Sequence, residues 1–196
     1  MVVTFLIEIN QVPKLYDTEV IIKTLTTKEY RNNFVDLDIT MAACKECPNY
    51  SKNWACPEFN ENVLENWDRY ENIELILTKI NFTQEALENS YDEEDLLTII
   101  DNSLFMERNK LISTLEEKEK DYEGKYLSAG YCGYCEKCAR IDNLPCKYPD
   151  KCHNSIESIG GLVSDTLSEV FGEELKWIDK NGKLPENLSL LMAVLY

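Results

Sequence analysis

Gly130-Tyr-Cys132-Gly-Tyr-Cys135-Glu-Lys-Cys138-Ala-Arg140-Ile-Asp-Asn-Leu-Pro145-Cys146-Lys-Tyr-Pro149-Asp-Lys-Cys152-His153 is the stretch that decides what kind of fold this chain can have. Five of the eight cysteines fall inside it, separated by two, two, seven and five residues. No core needs so many small thiols in a row, so the run means metal chemistry or covalent bracing. Iron favours thiolate sulfur, and a CxxCxxC turn lets three sulfurs converge on one cubane while its backbone N–H groups point at the sulfides. A fourth ligand can come from farther along. Zinc is the alternative, because a tetrahedral site also accepts four cysteines, yet two overlapping knuckles sharing Cys135 suit zinc less well.

Working outward, a second group lies about eighty residues earlier, in Cys44-Lys-Glu-Cys47-Pro-Asn-Tyr50-Ser-Lys-Asn-Trp54-Ala-Cys56-Pro57. Proline directly follows Cys47 and Cys56, which stops a helix and predicts an irregular loop able to wrap a metal. Cys44, Cys47, Cys56, Cys132, Cys135, Cys138, Cys146 and Cys152 are therefore the candidate ligands, and two partitions of them stay open. In the first, Cys146 or Cys152 crosses over to give each group four thiols, as ferredoxins share ligands between their clusters. In the second, Cys132, Cys135, Cys138 and Cys146 stay together and the early group keeps three, leaving an open iron as a catalytic zinc keeps an open position. The first partition describes an electron carrier, the second an enzyme. Tyr50, Trp54, Tyr131 and Tyr134 interleave the thiols and are expected to shield a cluster from solvent. His153, the only histidine, reads as an exposed and incidental neighbour of Cys152.

Composition narrows the class. A chain of 196 residues suits a single domain spanning 1–196, with cysteine loops at 44–57 and 130–153. Its 36 acidic against 20 basic side chains give a formal charge of -16, which argues against nucleic acid and suits docking on a basic protein redox partner. No run of eighteen apolar residues exists, so no membrane span is expected. Met1-Val-Val-Thr-Phe-Leu-Ile-Glu-Ile-Asn10 lacks a basic n-region and a cleavage site, and reads as a strand. Eight cysteines without a secretion signal point to metal ligands in a reducing cytoplasm. Nucleotide, zinc-protease and serine-hydrolase motifs are absent, and the CxxxCxxC of radical enzymes is missed by one residue.

Around the cysteines, residues 2–9 and Glu19–Leu25 predict opening strands, and Asn72–Phe82 another. Val63, Leu64, Trp67 and Tyr70 predict a helix over 61–70, while Thr83 to Asp92 is polar and breaks the pattern. Leu97, Ile100, Leu104, Leu111 and Leu115 mark one long amphipathic helix from Asp92 to about Tyr122, with Arg108 as a snorkelling cation at the edge of the stripe. Gly124 to Gly130 is expected to lead through a short strand into the cysteine run, followed after Cys152 by two short helices divided at Gly160-Gly161. Leu188–Leu195 is near-continuously apolar, the pattern of a strand buried on both faces. The expected fold class is α+β: a small mixed sheet with packed helices, and the two cysteine-rich metal-binding loops at one end.

These residues resemble a known family. Cys44-x-x-Cys47-x-x-Tyr50-x-x-x-Trp54-x-Cys56-Pro57, Leu127-x-Ala129-Gly130-x-Cys132-x-x-Cys135-x-x-Cys138-Ala139, Pro145-Cys146-x-x-Pro149 and Ser155-x-Glu157-x-x-Gly160 are similar to domain of unknown function 2284, small predicted metal-binding proteins of anaerobic bacteria and archaea. The resemblance implies a cytoplasmic metal-binding protein carrying iron–sulfur clusters, and brings no established reaction with it. Cys152 lies outside the family's set of seven cysteines, which favours the three-plus-four partition. The expected function is electron transfer through two [4Fe-4S] clusters; the rivals are an enzyme with an open iron on Cys44, Cys47 and Cys56, and a zinc-stabilised interaction module.

Overall fold

The apolar run near the end of the sequence forms the middle of the sheet. The computed structural model describes residues 15–59, 62–179 and 181–196; the strand expected at 2–9 lies outside them. Strands β1 (Tyr16–Thr26), β2 (Asn72–Phe82), β3 (Lys125–Leu127) and β4 (Asn187–Leu195) lie in the order β1-β2-β4-β3. Every pairing among them is antiparallel, so the mixed sheet expected from sequence is corrected to an antiparallel one. Side-chain alternation reports which faces a strand buries but carries no sign of its neighbour's direction.

β4 lies between β2 and β3 and is covered on both faces, with eight of its nine residues buried. Leu191, Ala193 and Leu195 join Ile73, Leu75 and Leu77 of β2 on one face, under Tyr30, Trp67, Ile156 and Leu167. Leu190, Met192 and Val194 join Ile76 on the other, against Leu115 and Tyr126. A period of two thus feeds two cores, and the sheet becomes the central layer of three.

Helix α1 (Thr27–Phe34) and α2 (Leu37–Glu46) are started by side-chain caps, Thr26 accepting from the Glu29 N–H and Asp36 from the Ile39 N–H. The helix expected over 61–70 is only the turn α3 (Glu65–Asp68), whose buried Trp67 donates to the Ile159 carbonyl. The polar stretch after β2 holds a short helix, α4 (Gln84–Glu88), capped by Thr83.

The long helix exists, but in three parts: α5 (Glu93–Ile100), a π-helical turn Asp101–Phe105, and α6 (Met106–Asp121). A π turn carries an extra residue and shifts the helical phase. Leu97, expected inside, is therefore 59% exposed, while Ile99 and Ser103 are buried; C-terminal to the π turn, Leu115 is fully enclosed as expected. The short helices after the second cysteine loop are a 3-10 turn at Glu157–Ile159 and α7 (Val163–Thr166), which runs into a second π turn. Among the described residues no helix is long and apolar enough to cross a membrane.

Gly124 lets α6 turn into β3, because a β-carbon there would run into the backbone oxygen of Leu195 in β4. Gly124→Ala is expected to cost about 2 kcal/mol, since that oxygen belongs to a central strand and cannot yield. Denaturant titration checks it; an unchanged midpoint would show that the helix end has room to shift.

Candidate metal centre

Each cysteine group is delivered by a defined element. Cys44 sits in the last turn of α2, so the expected irregular loop begins one residue group later, and the Cys47 N–H closes the helix by donating to the Cys44 carbonyl. Successive turns carry the chain on, with Tyr50 N–H donating to the Cys47 carbonyl and Cys56 N–H to that of Asn53. The later group leaves β3 under the grip of Arg108. This arginine does not snorkel: it is 9% exposed, and its guanidinium donates to the Ala129 carbonyl (2.9 Å), the Ser128 hydroxyl (2.8 Å) and the Tyr131 carbonyl (2.8 Å). Its bonds fix the backbone immediately before Cys132.

The two loops are then tied to one another. Buried Asn53 donates to the Cys132 carbonyl at 2.8 Å and accepts from the Ala55 N–H. Trp54 Nε1 donates to the Leu144 carbonyl at 3.0 Å. Arg140 reaches back across both, donating to the carbonyls of Asn53, Cys56 and Glu58 while its guanidinium lies 5.1 Å from the centre of the Trp54 ring. None of these partners is signalled locally, since each pair stands roughly eighty to ninety residues apart.

The eight thiols, all unpaired by disulfides, line two cavities. Cys132, Cys135, Cys138, Cys146 and Cys152 line one together with Trp54, Tyr134 and Tyr148. Cys44, Cys47 and Cys56 line the other, a cavity of about 680 Å³ that also touches Tyr50, Tyr131 and Glu157. Of the four aromatic residues expected to shield the thiols, Trp54 and Tyr134 line the later cavity and Tyr50 and Tyr131 the earlier. Among the described residues no three side chains of the ligating types are drawn together tightly enough to hold a metal ion as they stand. The donor set itself, eight sulfurs in two groups, fits a thiophilic metal or cluster.

His153 is neither exposed nor idle. It is 2% exposed, stacks on Tyr126 with ring centres 3.6 Å apart, and donates through Nε2 to the Glu119 carboxylate at 2.9 Å. Burial alone would raise the Glu119 carboxyl, but His153 and Lys125 outweigh it and hold the carboxyl below its usual range. The His153 Nδ1 is buried with no hydrogen-bond partner among the described residues. The sequence hid this pairing because Glu119 comes from α6, a separate element.

The family model of domain of unknown function 2284, described as a predicted metal-binding protein, matches residues 11–196. The chain belongs to this family. No curated protein and no solved structure matches it. For a member of a predicted metal-binding family, the two thiol-lined cavities are where binding is to be sought.

The thiols differ in how readily they release protons. Burial first, then the neighbouring Cys47 and Cys44 thiols, push Cys56 up to about 12, with Arg140 pulling the other way. Burial, Glu157 and Cys47 also raise Cys44. In the later group a hydrogen bond from the Cys152 thiol pulls Cys132 down, aided by the N–H groups of Tyr134 and His153 and by the Arg108 charge, while Cys152 moves up. A metal displaces each thiol proton, so apparent affinity climbs about tenfold per pH unit for every thiol still protonated, and stops climbing above that thiol's pKa. From about pH 7 to 8 Cys132 is therefore expected to add nothing to the climb of its group, whereas Cys44 and Cys56 each add about tenfold per unit to that of the early trio. Metal titrations of Cys132→Ser and Cys56→Ser check this, the first keeping the slope of its group and the second lowering it by about one; a slope that falls on losing Cys132 would contradict it.

Proposed function

We propose that this protein binds two [4Fe-4S] clusters, one fully ligated by the later cysteines and one held by Cys44, Cys47 and Cys56 with an iron left open. The observation that carries the reading is the division of the thiols, five around one cavity and three around another. The five-thiol cavity is lined by Trp54, Tyr134 and Tyr148 and leaves little space beside the thiols for a substrate, which suits a centre that only passes electrons. The three-thiol cavity is large enough to admit a second molecule, which favours chemistry at that site over simple relay. Such clusters supply one-electron transfer, and an open iron adds a Lewis acid. The protein's own part is to hold the two loops together through Arg140 and Asn53, and to set the backbone before Cys132 through Arg108. Electrons reach the five-thiol centre from a protein partner, and the charge of -16 favours a basic one.

Purification and reconstitution without oxygen test this. The expected yield is about eight irons and eight sulfides per chain, four of each per cubane, with Cys56→Ser and Cys138→Ser each removing about half. Stoichiometric zinc without acid-labile sulfide would replace this reading with a zinc-stabilised interaction module.

A further inference from the structure

We infer that the cavity beside Cys44, Cys47 and Cys56 is a binding site for a small amine, an apolar or aromatic body carrying an ammonium group that the Glu157 carboxylate receives. This names the substrate class of the open-iron site and rests on that reading for its chemistry, whereas binding itself stands on the cavity.

At about 680 Å³ the cavity falls within the range of small-molecule sites. Its walls are largely apolar, with Ile39, Leu162 and Leu175 among them, and three aromatic rings, Tyr50, Tyr131 and Trp177, face the same space. Trp177 is 76% exposed, a large ring standing at the rim where aromatic side chains meet cations well. No lysine, arginine or histidine is among its described lining residues, whereas Glu157, Asp165 and the three thiols are. A carboxylate or phosphate ligand entering here would find no lysine, arginine or histidine among those residues to receive it.

Glu157 supplies the specific contact. The residue lines the cavity and is partly exposed as a whole, while its Oε2 is buried with no hydrogen-bond partner among the described residues. Burial raises its carboxyl against the pull of its own backbone N–H and the Ser155 hydroxyl, and an ammonium held against it from the cavity favours the charged form with a charge-assisted bond. Glu157 also acts electrostatically on the Cys44 thiol, so an amine held there lies beside the early trio.

Calorimetry on the metal-loaded full chain, prepared without oxygen, tests the inference with phenethylamine and 3-phenylpropionate, which share a body and differ in charge. Phenethylamine is expected to bind at least about tenfold more tightly, and Glu157→Gln to weaken it by about tenfold or more without weakening the carboxylate. Iron and sulfide contents equal to those of the unaltered chain confirm that Glu157→Gln folds. Trp177→Ala, a change at the exposed rim, is expected to weaken phenethylamine binding as well. Equal binding of the two ligands, or phenethylamine binding indifferent to Glu157→Gln, overturns the amine site. If Cys56→Ser strips the trio's iron while Glu157-dependent amine binding persists, the site stands. If instead every cluster in the unaltered chain proves to have four protein ligands, the open-iron reading fails and the amine site survives on its own binding data.

Discussion

Arg140→Ala is expected to part the two cysteine loops and release metal from the early one. Its guanidinium donates to three backbone carbonyls of the first loop, those of Asn53, Cys56 and Glu58, from a position two residues beyond Cys138 in the second. Hydrogen bonds to a charged group are each worth about 1.5–3 kcal/mol. They share one side chain and do not add, and the contact to Glu58 is solvent-exposed, so the expected loss is about 3 kcal/mol of local stability. Groups that orient ligands in this way change metal affinity by about 10–100-fold when removed. Arg140→Lys is expected to restore little, because an ammonium lacks the planar fork that spans separated acceptors and lies against Trp54. Metal content per chain and amide exchange over 44–58 report the effect. Retention of full metal content in the alanine variant would sink the clamp.

Removing metal altogether is expected to loosen the loops while the sheet stays closed. Residues 130–153 contain only short 3-10 turns, and their thiols are oriented by backbone bonds too few to hold them without a ligand. β2 and β4, by contrast, are laddered to each other over nine paired residues and enclosed on both faces. Chelation is therefore expected to open a gap in amide protection on the order of a thousandfold between β4 and the later cysteine loop, the difference between local opening and global unfolding at a stability near 5 kcal/mol. Metal binding and loop folding are one equilibrium, so the gap closes again on reloading. Equal protection in both regions of the stripped protein would refute the separation of scaffold and site.

Particular residues show how far local sequence reached. β2 matches its expected bounds, Asn72–Phe82, and β4 starts one residue early, because unbroken apolar and alternating runs are properties of the strand itself. The division of the thiols into an early three and a later five was equally legible, as spacing alone marks it. What failed were features set by distant partners. Leu97 was misplaced because no local pattern announces a π turn, and Arg108 looked like a stripe-edge cation because its three acceptors lie some twenty residues downstream. Arg140, Asn53 and the His153–Glu119 pair were invisible as joints for the same reason. A charged side chain does not reveal whether its partner is water or a backbone carbonyl in another loop.

β4 is later in the chain than everything it holds together. β2 and β3 are joined in the sheet only through it, so β2 has β1 alone and β3 has no partner strand until residues 187–195 have been made. During synthesis both thiol groups thus emerge before the platform that positions them. Any delivery system that fills them must either wait for that last strand or guard eight reactive sulfurs in the meantime, and slowing the insertion of β4 should leave the newborn chain most vulnerable to oxidants.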